Sequence, residues 1–199
     1  MTGGSPPLGP RTVLAIVDAQ RVFHERTAWQ VPDMADIMPN LCRLAGHRPR
    51  QLILTRFLTP GRADESQGMW RAYYRHWPSV TLDNMPAEML DVVPDLAAYA
   101  PPAEVCDKTT YSSFGSGSFA ASLLARGADS LILAGVETDA CVWATALPAI
   151  DLGLRVVIVS DAVTSASREA HRAVLDVLLP RLRPMVEAAT TDAILAAWH

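Results

Sequence analysis

The chain is poor in lysine, in cysteine and in long apolar runs, and each shortage excludes something. Lys108 is the only lysine among 199 residues; every other basic side chain on an alkyl stem is an arginine. The formal charge is −4 with histidine neutral, and no basic cluster offers a surface for nucleic acid or an anionic membrane. Cys42, Cys106 and Cys141 make an odd set, too small for a disulfide scaffold. None stands at C-x-x-C spacing, so neither a zinc knuckle nor a dithiol redox pair is signalled. No stretch approaches the ~20 apolar residues of a membrane span. Residues 1 to 10 carry Pro, Gly and Ser without the apolar core of a signal peptide. These absences predict a cytoplasmic protein with a flexible tail over residues 1–10 and a single domain over residues 11–199.

Three nucleotide and hydrolase signatures are also missing. The first strand pattern ends in Val17-Asp18-Ala19-Gln20, where a dinucleotide-binding protein would place G-x-G-x-x-G. Gly115-Ser116-Gly117 is short and has no following lysine, so a P-loop is absent, and no G-x-S-x-G marks a serine-hydrolase elbow. No cofactor is implied.

What is present is alternation. Apolar runs at Thr12 to Val17, Gln51 to Thr55, Val105 to Lys108, Ser130 to Ala134, Leu154 to Val159 and Met185 to Ala188 read as strands. Helical patterns lie between them at Asp33 to Gly46, Ser118 to Arg126, Asp139 to Leu152 and Ser167 to Leu179, with Thr191 to Trp198 closing the chain. Near-continuous apolar strands alternating with helices predict an α/β fold of three α-β-α layers around a six-stranded parallel, Rossmann-like sheet. Ligands of such sheets bind beyond the carboxyl ends of the strands. Asp18, Lys108 and the turn leading to Cys141 all follow strand ends, which brings them to one rim. The segment from Phe57 to Leu90 holds Trp70, Tyr73, Tyr74, His76 and Trp77, and reads equally as a lid or as a satellite cluster or oligomer contact.

The motifs Val17-Asp18-Ala19-Gln20, Lys108-Thr109-Thr110-Tyr111-Ser112-Ser113-Phe114 and Gly135-Val136-Glu137-Thr138-Asp139-Ala140-Cys141-Val142, in that order, resemble the isochorismatase-like cysteine hydrolases. Thr145-Ala146, Gly153, Ser160-Asp161-Ala162 and His171 fit the same pattern, so the resemblance covers almost the whole chain. It implies a catalytic triad of Asp18, Lys108 and Cys141. It also implies an oxyanion hole made by the backbone amides of Glu137 and Cys141, presented by a cis peptide between Val136 and Glu137. Cis bonds outside proline are rare, so this is a sharp expectation. The chemistry it implies is cleavage of an amide, ureido or carbamoyl C–N bond in a small molecule through a Cys141 thioester. Lys108 and the start of a helix are expected to lower the thiol pKa, with Asp18 shuttling the proton. The alternatives are vinyl-ether hydrolysis with Asp18 as the acid, as in a true isochorismatase, and a non-catalytic member acting in assembly. A homo-oligomer, a dimer or larger, is implied as well.

Each residue alone has a plainer role. Cys42 and Cys106 read as small buried hydrophobes, and an Asp after a strand most often serves a turn. His171 reads as a helix-to-loop hydrogen bond. Nicotinamidases of the resembled family carry a metal on an Asp-x-His pair after the second strand. Here that stretch is Thr55-Arg56-Phe57-Leu58-Thr59-Pro60, which predicts no metal. Arg56 would bind a substrate carboxylate or else pair with an acidic neighbour. Phe23, Trp29, Tyr111 and Trp143 are the expected walls of a flat pocket, although Trp143 could instead face the core or a partner subunit.

Overall fold

The computed structural model describes residues 8–199. Six strands, β1 (Thr12–Val17), β2 (Leu52–Phe57), β3 (Glu104–Lys108), β4 (Ser130–Val136), β5 (Arg155–Thr164) and β6 (Val186–Ala189), form one sheet in the order β3-β2-β1-β4-β5-β6. Every pairing is parallel. The central strands β1 and β4 are buried at every position, as expected when helices cover both faces. β3 lies at the edge and alternates between buried and open positions.

The chain steps outward from β1 to β2 and β3, then returns beside β1 to lay down β4, β5 and β6 in the opposite direction. Right-handed crossovers therefore place the connecting helices on opposite faces. Helix α2 (Met34–His47) joins β1 to β2 and packs with the closing helix α8 (Thr191–Ala197). Helices α5 (Gly117–Ala125), α6 (Trp143–Asp151) and α7 (Arg168–Arg172) follow β3, β4 and β5 and cover the other face. The short helices α1 (Arg21–His24) and α4 (Pro94–Ala97) flank the rim of β1 and the approach to β3, and α3 (Gly68–His76) lies in the long segment after β2. The result is a three-layer α/β architecture whose strand order reverses between β1 and β4. The crevice that such a reversal opens is where ligands of these sheets bind.

The structure departs from the sequence reading in three places. Leu8 is 3% exposed, and its amide donates to the Ala197 carbonyl at 3.2 Å. Residues 8 to 10 thus belong to the domain and not to a loose tail; residues 1–7 of that expected tail lie outside the described residues. The helix expected over Asp139 to Leu152 divides into a π-helical turn, Thr138–Val142, followed by α6. β5 continues to Thr164, past a register shift against β4 between Leu133 and Gly135, and pairs again with β4 at Val163 and Thr164. Among the described residues no helix is long and apolar enough to cross a membrane.

Candidate active site

Asp18 stands at the end of β1 with φ 49°, a left-handed conformation that Asp tolerates better than most residues. Thr55, at the same level of β2, holds it twice. The Asp18 amide donates to Thr55 Oγ1 at 3.1 Å, and that hydroxyl donates to Asp18 Oδ1 at 2.7 Å. Gln20 ties the same rim together: its amide nitrogen donates to the carbonyls of Phe57 (3.1 Å) and Leu90 (2.7 Å), and its oxygen accepts from the Phe57 amide (2.7 Å). On the other side β4 presses against β1. A Cβ on Gly135, which has φ 103°, would sit 2.1 Å from the Val17 carbonyl oxygen, so only glycine allows the two strand ends to approach so closely.

Lys108 ends β3 and reaches inward to place Nζ 2.7 Å from Asp18 Oδ2. Both side chains are essentially without solvent exposure. Nζ also donates to the carbonyls of Thr110 and Tyr111, each at 3.0 Å. Its ion pair with Oδ2 lies off the hydrogen-bond axis, so Oδ2 receives no aligned hydrogen bond among the described residues.

Cys141, 5% exposed, lies in the π-helical turn against both members of this pair. The preceding peptide, Val136-Glu137, is cis, as the resemblance implies. The Glu137 carbonyl accepts from the amides of Ala140 (3.2 Å) and Val142 (3.0 Å), which folds the turn tightly. Thr145, one turn on, donates to the Cys141 carbonyl at 2.7 Å and accepts from the Ser113 amide at 3.0 Å, so it locks the Cys141 turn to the loop that follows Lys108. His171 Nδ1 is 2.9 Å from Thr138 Oγ1, the helix-to-loop contact read from the sequence.

One expectation about the thiol is reversed. Burial pushes the Cys141 thiol well above its ordinary value; the Asp18 carboxylate raises it further, and Lys108 only partly offsets this. A thiolate here would be a second anion beside Asp18, sharing one ammonium in a dry site. Burial and the neighbouring carboxylate both favour the neutral thiol. The sign fixes a test: alkylation of Cys141 by iodoacetamide is slow at neutral pH and climbs as the pH rises past 9. A rate already at its plateau at pH 7, followed by peptide mass mapping, would show a preformed thiolate.

Above the thiol lies a cavity of ≈ 210 Å³. Phe23, Trp29 and Tyr111 line it as expected, together with Phe57, Tyr73 and Trp77. Phe23 and Trp29 stack at 5.9 Å, and Phe57 meets Trp29 edge-on at 5.8 Å. The Phe57 to Leu90 segment thus contributes a wall: Tyr73 and Trp77, four residues apart, project from the same side of α3 and its end. That spacing was a signal available in the sequence. Phe57 had one too, since it shares a strand face with Thr55 two residues earlier. Glu137, which the sequence reading takes only as a backbone donor, also belongs to the wall, and its carboxyl is close enough to act on the wall residue Tyr73.

Two residues lie outside the cavity, each in the alternative role read from the sequence. Arg56 points to the opposite face of β2 from Thr55 and Phe57, where it forks onto Asp107 (2.7 and 2.9 Å) and reaches Asp91 at 3.3 Å. It does not line the cavity. Trp143 also lies outside the cavity lining, packed partly buried against the core. Two helical residues after Cys141 it is turned roughly 200° away. Cys106 is buried as read, whereas Cys42 is only partly so.

A family model for the isochorismatase domain matches residues 12–190. The chain belongs to the isochorismatase family of hydrolases. An uncharacterized isochorismatase family protein, YwoC of Bacillus subtilis (strain 168), is 31% identical over 98 residues, which cover 49% of this chain and 51% of that protein. The match thus spans about half the length of that relative. A cysteine hydrolase from Pseudomonas syringae pv. phaseolicola 1448A shares the fold with a TM-score of 0.83 at 24% identity, covering 99% of this chain and 98% of the other. N-carbamoylsarcosine amidase from Thermoplasma acidophilum does so with a TM-score of 0.70 at 19% identity over 91% and 96% of the two chains. At these identities the structural likeness shows the fold alone.

The metal found in some members of such a family does not fit here. After β2 the side chains on the inner face are Thr55, committed to Asp18, and Phe57, whose ring centre lies 4.7 Å from Lys108 Nζ. Among the described residues no three His, Cys, Asp or Glu side chains gather where a metal could be held.

Proposed function

We propose that this isochorismatase-family hydrolase cleaves the C–N bond of a small amide, ureido or carbamoyl compound through a thioester on Cys141. The observation that carries the reading is the buried Asp18–Lys108 contact at 2.7 Å, set against the Cys141 thiol at the floor of an aromatic cavity. Isolated charges are costly to bury, and a buried pair around a thiol makes chemical sense when the thiol must lose and regain a proton.

With substrate bound, Asp18 takes the thiol proton on Oδ2 as sulfur attacks the carbonyl carbon, and Lys108 offsets the negative charge that forms. The carbonyl oxygen becomes the oxyanion, held by the backbone amides of Glu137 and Cys141. Asp18 then passes its proton to the leaving nitrogen; the C–N bond breaks and an S-acyl enzyme remains. A water gives its proton to Asp18 and attacks the thioester. The C–S bond breaks, and Asp18 returns the proton to sulfur, leaving the free acid. The resting neutral thiol suits this cycle, because Asp18 must begin unprotonated. A homo-oligomer belongs to the same reading, and exposed Leu124 and Leu152, on the α5 and α6 side, are apolar surface for it to cover.

Acid-quenched intact-mass spectrometry across a panel of amides and ureides tests the mechanism. A turned-over substrate is expected to leave its acyl mass on Cys141 alone. Acyl groups on Cys42 or Cys106, with none on Cys141, would rule it out.

A further inference from the structure

The lining of the cavity above Cys141 favours one sign of charge. Among the described residues no basic side chain lines it. Arg56 is turned to the other face of β2, and the Lys108 charge below is held by Asp18 and two carbonyls. Among the described residues Glu137 is the one acidic residue in the wall. Its Oε1 accepts from the Ala166 amide at 2.9 Å; among the described residues it has no cationic partner, and Oε2 accepts no hydrogen bond. Glu104, by contrast, is matched by Arg126 and Asp107 by Arg56.

Around this carboxyl stand aromatic faces set at different angles. Trp29 lies 6.0 Å from Tyr73 with the rings tilted, and Tyr73 meets Tyr111 edge-on at 6.5 Å. Ring faces attract cations, most strongly where water is excluded. The site already displays that preference once, in the Lys108 ammonium over the Phe57 ring. A space of ≈ 210 Å³ above the thiol fits a compact headgroup.

We propose that this cavity selects a substrate with a compact cationic headgroup, a substituted or quaternary ammonium, held by the Trp29, Tyr73 and Trp77 rings with Glu137 as its counter-charge. The proposal rests on the reading of the Cys141 cavity as the substrate site and names the class of compound it accepts. Burial pushes the Glu137 carboxyl up, the Ala166 amide partly offsets this and neighbouring Asp139 adds to it, so a cation beside the carboxyl would favour its charged form. Glu137 also explains the direction of selection: a substrate carboxylate in the same place would meet a second carboxyl with no arginine to offset it.

Equilibrium binding separates this from the hydrolysis itself. The intact protein is titrated at mildly alkaline pH with choline, with its neutral isostere 3,3-dimethylbutan-1-ol and with the anion 3,3-dimethylbutanoate, by calorimetry and by the fluorescence of the cavity tryptophans. Choline is expected to bind at least about tenfold more tightly than the alcohol, and the anion most weakly. In Glu137→Gln the choline-to-alcohol ratio falls towards one, and Glu137→Asp keeps part of it. A role for Glu137 only in tethering Ala166 would weaken both ligands alike and leave the ratio standing. Absence of saturable choline binding, equal or tighter binding of the alcohol or anion, or an unchanged ratio in the Gln variant overturns the proposal. The wild-type comparison decides even where a variant fails to fold. Because no turnover is needed, a choline preference without any acyl adduct on Cys141 would sink the thioester reading and spare this one. Adducts formed only from anionic amides would do the reverse.

Discussion

Cys141→Ala is expected to lower kcat for an amide or ureide substrate by about 10⁴-fold or more, with a far smaller effect on binding. The reason lies in what the remaining groups can do. Asp18 and Lys108 would still sit 2.7 Å apart, and the cavity walls would be intact, so the variant still binds. It has no atom that can accept the acyl group, and water would have to attack an unactivated amide directly. The substitution removes one buried sulfur, so the loss of stability should be modest, roughly 1 kcal/mol, readable as a small fall in Tm. The measurement is steady-state turnover beside thermal unfolding on the same preparation. Undiminished hydrolysis in the alanine variant would exclude covalent catalysis and favour protonation by Asp18 alone, the chemistry of vinyl-ether cleavage.

The thiol pKa sharpens that expectation. Had Cys141 been a resting thiolate, its role would be legible from reactivity alone. As a neutral thiol, pushed up by burial and by Asp18, it depends on substrate to complete the proton transfer. The sequence could suggest three residues meeting at a rim, because strand-helix alternation and the strand-end rule place Asp18, Lys108 and Cys141 there without coordinates. It could not weigh burial against charge, since that sum depends on which of two opposite charges lies nearer the sulfur. The same boundary separates Arg56 from Phe57. Both follow the second strand pattern, and only the period-2 alternation anchored on Thr55 tells which enters the cavity. For Trp143 the two-residue helical spacing from Cys141 already offers the core as an alternative to the pocket, and the structure takes that alternative. Glu137 was concealed for a different reason: a residue read for its backbone amide also belongs to the wall. The pieces that were legible are those set by long periodic patterns, and the pieces that were not are set by the direction of a single side chain.

The largest combined effect on stability and activity is expected at the Asp18–Lys108 pair. Asp18→Asn and Lys108→Met should each cost roughly 3–5 kcal/mol, because each leaves one buried charge uncompensated. Each should also lower kcat/KM by about 10² to 10⁴-fold, since proton transfer to and from Cys141 loses either its carrier or its charge support. The double variant separates the two effects. With both charges gone the desolvation penalty disappears with the attraction, so stability should recover in part. Recovery stays incomplete because the Thr110 and Tyr111 carbonyls, each 3.0 Å from Nζ, have lost their donor. Activity should not recover, because the thiol still has nowhere to send its proton. Urea denaturation of the four proteins gives the coupling energy, and turnover is measured alongside it. A double variant whose destabilisation equals the sum of the two singles would mean that the pair is not energetically coupled. One that regains turnover would mean that these side chains serve only the fold, and the proton route through Asp18 would have to be abandoned.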